Sequence, residues 1–250
     1  MLPNAYAMNR LTNSIKGSKT FVHIGSDGSI DGYLSVLNTP QTVDVWLRGL
    51  GEPVTNDLLR FFVKKVWKRR RRKVLYLNSD PRFLLSITRN FSDPVANVQD
   101  VMVVHRGEEH LLASTPAVVR LTPKDALDYA RLVLPDGFRI TEAVLRRSRE
   151  SLANDVAFGA FDDVQGKLAA TGHAYARLPE VWVVSGVITH SRYRRRGYGT
   201  AVTSAVTKEA LEKAESAVLY VDQRNTEAQR IYSRLGYRKI GESLCVKVNA

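Results

Sequence analysis

At 250 residues the chain exceeds the usual domain size of roughly 100 to 150 residues, so one large domain or two modest ones are expected. A hydrophobic content of 44% excludes a disordered polymer, the single cysteine, Cys245, excludes an intrachain disulfide framework, and no apolar run approaches the roughly 18 residues that span a bilayer. The net charge of +12 admits nucleic acid, a membrane surface or an acidic ligand as partner without requiring any of them.

The opening residues (MLPNAYAMNRLTNSIKG) lack the continuous apolar segment of a signal peptide, so a soluble, cytoplasmic protein without membrane association is expected. Basic residues number 16 against 10 acidic ones up to Thr115, and 21 against 15 beyond it, so each half carries +6. Lys64 to Lys73 (KKVWKRRRRK) holds 8 of the first 16.

In chain order, Phe21 to Ile24 and Ile30 to Leu37 read as strands around a Ser-Asp-Gly-Ser turn. Val43 to Leu47 leads into a helix from about Asn56 to Trp67, and Val74 to Leu77 (VLYL) is a strand. A short helical segment and the run Val101 to Val104 (VMVV) follow.

After Val118 to Leu121, the residues Thr122, Pro123 and Asp125 read as N-cap, first turn and capping-box acid of a new helical region. Asp155 to Phe161, Lys167 to Arg177 and Val181 to Thr189 form an antiparallel meander. Thr200 to Ala214 spaces Val202, Ala205, Val206 and Ala210 as an amphipathic helix, with Lys208/Glu212 and Glu209/Lys213 as facing pairs. Then come a strand at Ala217 to Val221 (VLYV from Val218), a helix at Asn225 to Leu235 stopped by Gly236, and a strand at Leu244 to Val248.

The order of elements repeats between the halves. VLYL is followed by VMVV, and VLYV by LCVKV, at nearly the same distance, which suggests a diverged tandem duplication divided into residues 1–115 and 116–250.

The segment most informative about chemistry is Ser191 to Thr200 (SRYRRRGYGT), between an apolar strand and an amphipathic helix. Gly197 and Gly199 remove side chains where strand turns into helix, so several backbone N–H groups can converge on one anion at the helix's positive end. Arg194, Arg195 and Arg196 can neutralise a pyrophosphate. There is no Gly-Lys-Ser/Thr ending and no third glycine, so the turn is neither a Walker loop nor a dinucleotide fingerprint.

VSGVITHSRYRRRGYGTAVTSAV resembles motif A of the GNAT (general N-acetyltransferase) superfamily, with its R/Q-x-x-G-x-G/A after a strand. YVDQRNTEAQRIYSRLGYRKIGE resembles motif B, with Asn225, Ala228, Tyr232, Gly236 and Tyr237 at its marker positions. Gly186 to Thr189 is similar to the G-V-x-T strand of the branch that includes glycine-acyltransferase-like enzymes.

The resemblance implies a mixed α/β (α+β) GNAT fold in the C-terminal half, a diverged GNAT-like N-terminal half, and an N-acetyltransferase using acetyl-CoA. It implies that the backbone of Val187, Ile188 and Thr189 pairs with the pantetheine arm, that Arg194, Arg195, Arg196, Gly197, Tyr198, Gly199 and Thr200 hold the pyrophosphate, and that Asn225 and Ala228 face the cofactor. Tyr232 becomes the general acid that protonates the departing thiolate, in a direct transfer without metal.

Asp222, His173 and His190 are candidates for the general base, a role left open. In the N-terminal half the equivalent turn, Arg48 to Pro53 (RGLGEP), puts Glu52 and Pro53 where donors should face phosphate, so that half is expected not to bind CoA but to shape the acceptor side or a homodimer contact. The amine acceptor stays open among amino acids, polyamines, protein amines and aminoglycosides, with residues 135–146 as a candidate contact. A competing reading is a non-catalytic CoA-responsive or nucleic-acid-associated protein, motivated by the basic run.

Overall fold

A computed structural model describes residues 18–39, 42–69, 73–110 and 117–249. Strands β1 (Ser18–Ile24), β2 (Ile30–Asn38) and β3 (Thr42–Gly49) form an antiparallel meander. Alternation in β3 sends Val43, Val45 and Leu47 into a core and leaves Asp44, Trp46 and Arg48 on the opposite face.

Helix α1 (Glu52–Phe61) begins earlier than its apolar spacing predicts, because Pro53 is preorganised for the first turn. It runs on through a π turn (Phe62–Val66) and a 3-10 turn (Trp67–Arg69). Phe62, Val66 and Trp67 are buried there while Lys64, Lys65 and Lys68 are exposed. The basic run thus leaves the end of this helix, and residues 70–72 of it lie outside the described residues. Strand β4 (Val74–Ser79) returns parallel to β3, then come a short α2 (Leu84–Thr88) and β5 (Val95–His105).

The second half starts with β6 (Val119–Arg120) and the expected capping box, in which the Thr122 N–H donates to the Asp125 carboxylate at 2.8 Å. Helices α3 (Ala126–Val133) and α4 (Glu142–Asn154) precede the meander β7 (Val156–Phe161), β8 (Leu168–Arg177) and β9 (Val181–Thr189). Helix α5 (Tyr198–Lys213) follows, in which Lys213 donates to Glu209 at 2.6 Å as its spacing predicts. Strand β10 (Ser216–Asp222), helix α6 (Thr226–Arg234) and strand β11 (Arg238–Val248) complete the chain.

The described strands join one sheet in the order β1-β2-β3-β4-β11-β5-β10-β9-β8-β7-β6. Without β6 this order is a palindrome that exchanges β4 with β10 and β5 with β11, the strands whose sequences repeat. Both parallel pairs, β3 with β4 and β9 with β10, are bridged by a helix and fall at equivalent places. Each half gives its last strand to the other: β11 pairs with β4 of the first half, and β5 with β10 of the second. The β5–β11 ladder closes the centre, and Arg238–Ser243 extend β11 well before Leu244 because they pair along β5. The division after residue 115 falls at residues 111–116, outside the described residues.

The core lies in separate clusters along the sheet. Leu34, Leu47, Phe62, Leu77 and Leu244 pack beneath α1, and Val206, Leu211, Leu219, Tyr232 and Leu235 pack among α5, α6 and the sheet. Among the described residues no helix is long and apolar enough to cross a membrane.

Candidate active site

Strands β9 and β10 pair only where Val181–Val183 face Ser216–Val218, and beyond that point they diverge. A cavity of about 510 Å³ occupies the gap, lined on the β9 side by Ser185, Gly186 and Val187 and on the β10 side by Tyr220, Val221 and Asp222. Ser185 to Thr189 are all partly exposed while β8 still pairs along their other edge. A strand edge with unused hydrogen-bonding groups, open to a cavity, can take an extended amide-bearing chain.

At the end of β9 the chain makes a 3-10 turn (Ser191–Tyr193), and Gly197 then caps α5 with φ 83°, a left-handed value that favours glycine. Arg195 also has positive φ, 60°. Arg194, Arg195, Arg196 and Gly197 are exposed. Among the described residues, no protein acceptor engages the amides of residues 195–200, and the helix ladder begins with the Ala201 N–H to the Gly197 carbonyl at 2.9 Å. A methyl group on Gly199 would come within 3.0 Å of Thr189 Oγ1, so a glycine lets the turn press against the strand end. Tyr198 contributes only its backbone here. Its ring is buried against Tyr193, with centroids 5.8 Å apart.

Helix α6 brings Asn225 and Tyr232 into the same cavity. Asn225 is the N-cap rather than a residue within the helix, and its Oδ1 accepts the Ala228 N–H at 3.1 Å. Ala228 packs with Ile231 against the cluster that contains Tyr232. Burial pushes the Tyr232 hydroxyl up to about 12, so it keeps its proton at neutral pH. The helix ends at Gly236, φ 95°, where a side chain would meet the Glu108 carbonyl at 2.5 Å. Tyr237 is not at the cavity: its buried hydroxyl bonds Thr207 Oγ1 at 2.8 Å.

The three base candidates fare differently. Asp222 lines the cavity, but hydrogen bonds from Arg224, at 2.7 and 3.0 Å from the side chain, hold its carboxyl down to about 2, which makes it a weak proton acceptor. His173 is not among the lining residues and lies half-buried 3.9 Å from Asp155, with desolvation lowering its affinity for a proton. His190 caps the 3-10 turn, its Nδ1 accepting the Arg192 N–H at 3.2 Å. It lines a second cavity of about 520 Å³ with residues 134–138, the region expected to meet the acceptor.

Across the first cavity stand Asp44 and Trp46 of β3, Tyr76 and Asn78 of β4 and Cys245 of β11. The sequence gives no signal for these residues, since only the sheet order brings this face opposite Tyr232. In the first half's own glycine turn the Leu50 N–H is spent on the Asp31 carbonyl at 2.9 Å, and the Thr55 hydroxyl donates to the Gly51 carbonyl at 2.9 Å. A methyl group on Gly49 would lie 2.6 Å from Thr55 Oγ1, and the Glu52 carboxylate accepts from Ser86 at 2.6 Å.

Residues 159–246 match the family described as FR47-like protein. No curated protein sequence matches the chain. Among solved structures, the chain is similar to a GCN5-related N-acetyltransferase from Kribbella flavida at 16% identity and TM-score 0.68, covering 98% of this chain and 95% of that one. A GCN5-related N-acetyltransferase from Sphaerobacter thermophilus gives 15% identity and TM-score 0.65, with 97% and 85% covered. A tandem GNAT protein from the clavulanic acid biosynthesis pathway gives 14% and 0.64, with 98% and 87% covered. At these identities the likeness is one of fold: a mixed α/β GNAT architecture over nearly the whole chain, shared with a protein that is itself a tandem GNAT.

Proposed function

We propose that this GNAT-fold protein is a cytoplasmic acetyl-CoA-dependent N-acetyltransferase, in the branch with glycine-acyltransferase-like enzymes, that acylates a primary amine within a ternary complex. One observation carries the reading: the turn at residues 195–200, exposed as far as Gly197 and with amides that no acceptor among the described residues engages, opens α5 at the end of a strand splayed from its neighbour. Such a turn suits a diphosphate, and the arginines at 194–196 add charge.

The amides of residues 195–200 would hold the pyrophosphate, the free edge of Val187, Ile188 and Thr189 the pantetheine arm, and Asn225 and Ala228 the face beside it. Acetyl-CoA supplies an activated acyl thioester when bound. The strand amides near Val187 stabilise negative charge on the carbonyl oxygen as the amine nitrogen attacks. Tyr232 holds a proton at its Oη for the departing sulfur, so one C–N bond forms as the C–S bond breaks and the amine proton leaves to solvent. The N-terminal half, whose own turn carries Glu52 and Pro53 and spends the Leu50 N–H on Asp31, forms the acceptor wall and binds no CoA. Residues 1–115 and 116–250 are on this view two repeats of one ancestral unit.

Titration calorimetry with acetyl-CoA tests the cradle. Gly197→Asp puts a carboxylate and a strained left-handed residue at the anion site, so wild-type binding should be lost. Equal affinity in the two proteins rejects the site.

A further inference from the structure

Helix α6 carries Tyr232 on little packing of its own: of its nine residues Tyr232 alone is buried, with Ala228 and Ile231 partly so. What fixes its first turn comes from the other half of the chain. Strand β5 lies in the sheet between β10 and β11, with Asp100 between Val221 and Glu242, and Gln99 between Asp222 and Ser243. Gln99 lines the cavity, whereas Asp100 is half-buried outside it. Asp100 Oδ1 accepts the Gln223 side-chain amide and the Lys239 ammonium, each at 2.8 Å, and Oδ2 accepts the Gln229 side-chain amide at 3.3 Å. Gln229 stands three residues before Tyr232, so the two share one side of the helix.

Gln223 belongs to the loop that joins β10 to α6. Its main-chain N–H donates to the Val98 carbonyl at 3.2 Å, its own carbonyl accepts from Gln229 at 3.3 Å, and its side chain also donates to Glu242 at 2.8 Å. Both glutamines thereby spend both amide hydrogens on this network. Beside them Arg224, which grips Asp222, donates to Asn97 Oδ1 at 2.5 Å. A carboxylate that gathers donors from a loop, a helix and a strand fixes the distances among them. We propose that Asp100 is a positioning residue for the reaction: by anchoring Gln223 and Gln229 it sets where α6 presents the Tyr232 hydroxyl in the cleft. The first half thus reaches into the chemistry of the second through the strand it contributes. This deepens the acyltransferase reading and rests on it.

Turnover of the wild type, Asp100→Ala, Tyr232→Phe and the double variant tests the proposal, reading thiol release from acetyl-CoA with the fastest of spermidine, lysine and glycine as acceptor. Asp100→Ala should lower kcat roughly ten- to a hundredfold, the cost of a misplaced donor, with calorimetric affinity for acetyl-CoA within about threefold of wild type. In the Tyr232→Phe background the same change should alter kcat by less than about twofold, because its effect travels through the missing hydroxyl. Full turnover in Asp100→Ala overturns the proposal, as does an equal slowing in both backgrounds, which a general loosening of the fold would give. Should Asp100→Ala lose cooperative unfolding in urea, Gln229→Met, which cuts only the helix's own bonds, is judged by the same criteria. A second readout separates this failure from that of the parent reading. With tyrosine isotopically labelled at Cζ, the NMR resonance missing from Tyr232→Phe reports where that ring sits. It should move in Asp100→Ala while that of Tyr129, on α3, stays. If acetyl-CoA does not bind, no acceptor is turned over, or Tyr232→Phe matches the wild type, the parent reading falls and this resonance decides alone: displacement upholds the positioning by Asp100, and an unmoved signal overturns it.

Discussion

Gly186 sits where the cavity meets β9, and replacing it by alanine should show how that strand is held open. Thr171 pairs with Ile188 but His173 with Ser185, so β9 bulges between these pairs, and Gly186 takes φ 58° there. A Cβ at this position would lie 1.9 Å from His173 Nε2. The imidazole cannot yield freely, because the rings of Tyr129 and Tyr175 flank it at 6.5 Å. The left-handed backbone costs an alanine about 1–2 kcal/mol, and forcing the packed ring aside about 1–3 kcal/mol, so Gly186→Ala should destabilise by roughly 2–5 kcal/mol. In a His173→Ala background only the backbone part remains, which gives a coupling of about 1–3 kcal/mol in a double-mutant cycle. Urea unfolding of the four proteins measures it. Identical costs in both backgrounds, or a single-variant cost below about 1 kcal/mol, would refute the packing argument.

Tyr232→Phe should lower kcat by about 10² or more through loss of the proton donor, while the affinity for acetyl-CoA measured by calorimetry stays near wild type; unchanged turnover removes the acid role. The half-buried His173 also predicts a pH dependence. Its folded-state affinity for protons is lowered, so between the unfolded value of about 6.5 and the lower folded one the unfolded chain binds the extra proton. Stability is therefore full above that unfolded value and is lost as pH falls below it, by at most about 1.4 kcal/mol per pH unit. Asp155, whose carboxyl is raised by burial, acts in the opposite sense at lower pH, so the slope is read against His173→Gln, which should flatten it between neutrality and about pH 5.5. Equal slopes in the two proteins would mean that His173 is not the titrating group.

Most elements of this fold are legible because they obey local rules. The Thr122/Asp125 capping box, the Glu209/Lys213 pair and the glycine stop at Gly236 each act within a few residues of themselves. The turn at residues 195–200 is legible for the same reason, as glycine spacing reports backbone geometry directly. Long-range features are not. Asp44 and Trp46 alternate like any half-buried strand, and nothing near them in sequence reveals that they face Tyr232 across a cavity. The first residues of β11, Arg238–Ile240, are exposed and lack an apolar pattern, so their pairing with β5 follows from sheet order alone. Asn225 looks like a residue on the cofactor face of a helix, yet its oxygen is spent on the Ala228 amide, because a helix start leaves that donor unpaired.

The crossing of β5 and β11 also bears on how ligands enter and leave. The β3, β4 and β11 side of the cleft joins the β10 side through the β5–β11 ladder, so those two cannot part without breaking its backbone hydrogen bonds. The β9 side is tied to β10 at three paired positions only. A change in the width of the aperture therefore costs fewest hydrogen bonds at the split between β9 and β10, with the centre of the sheet as its fixed frame.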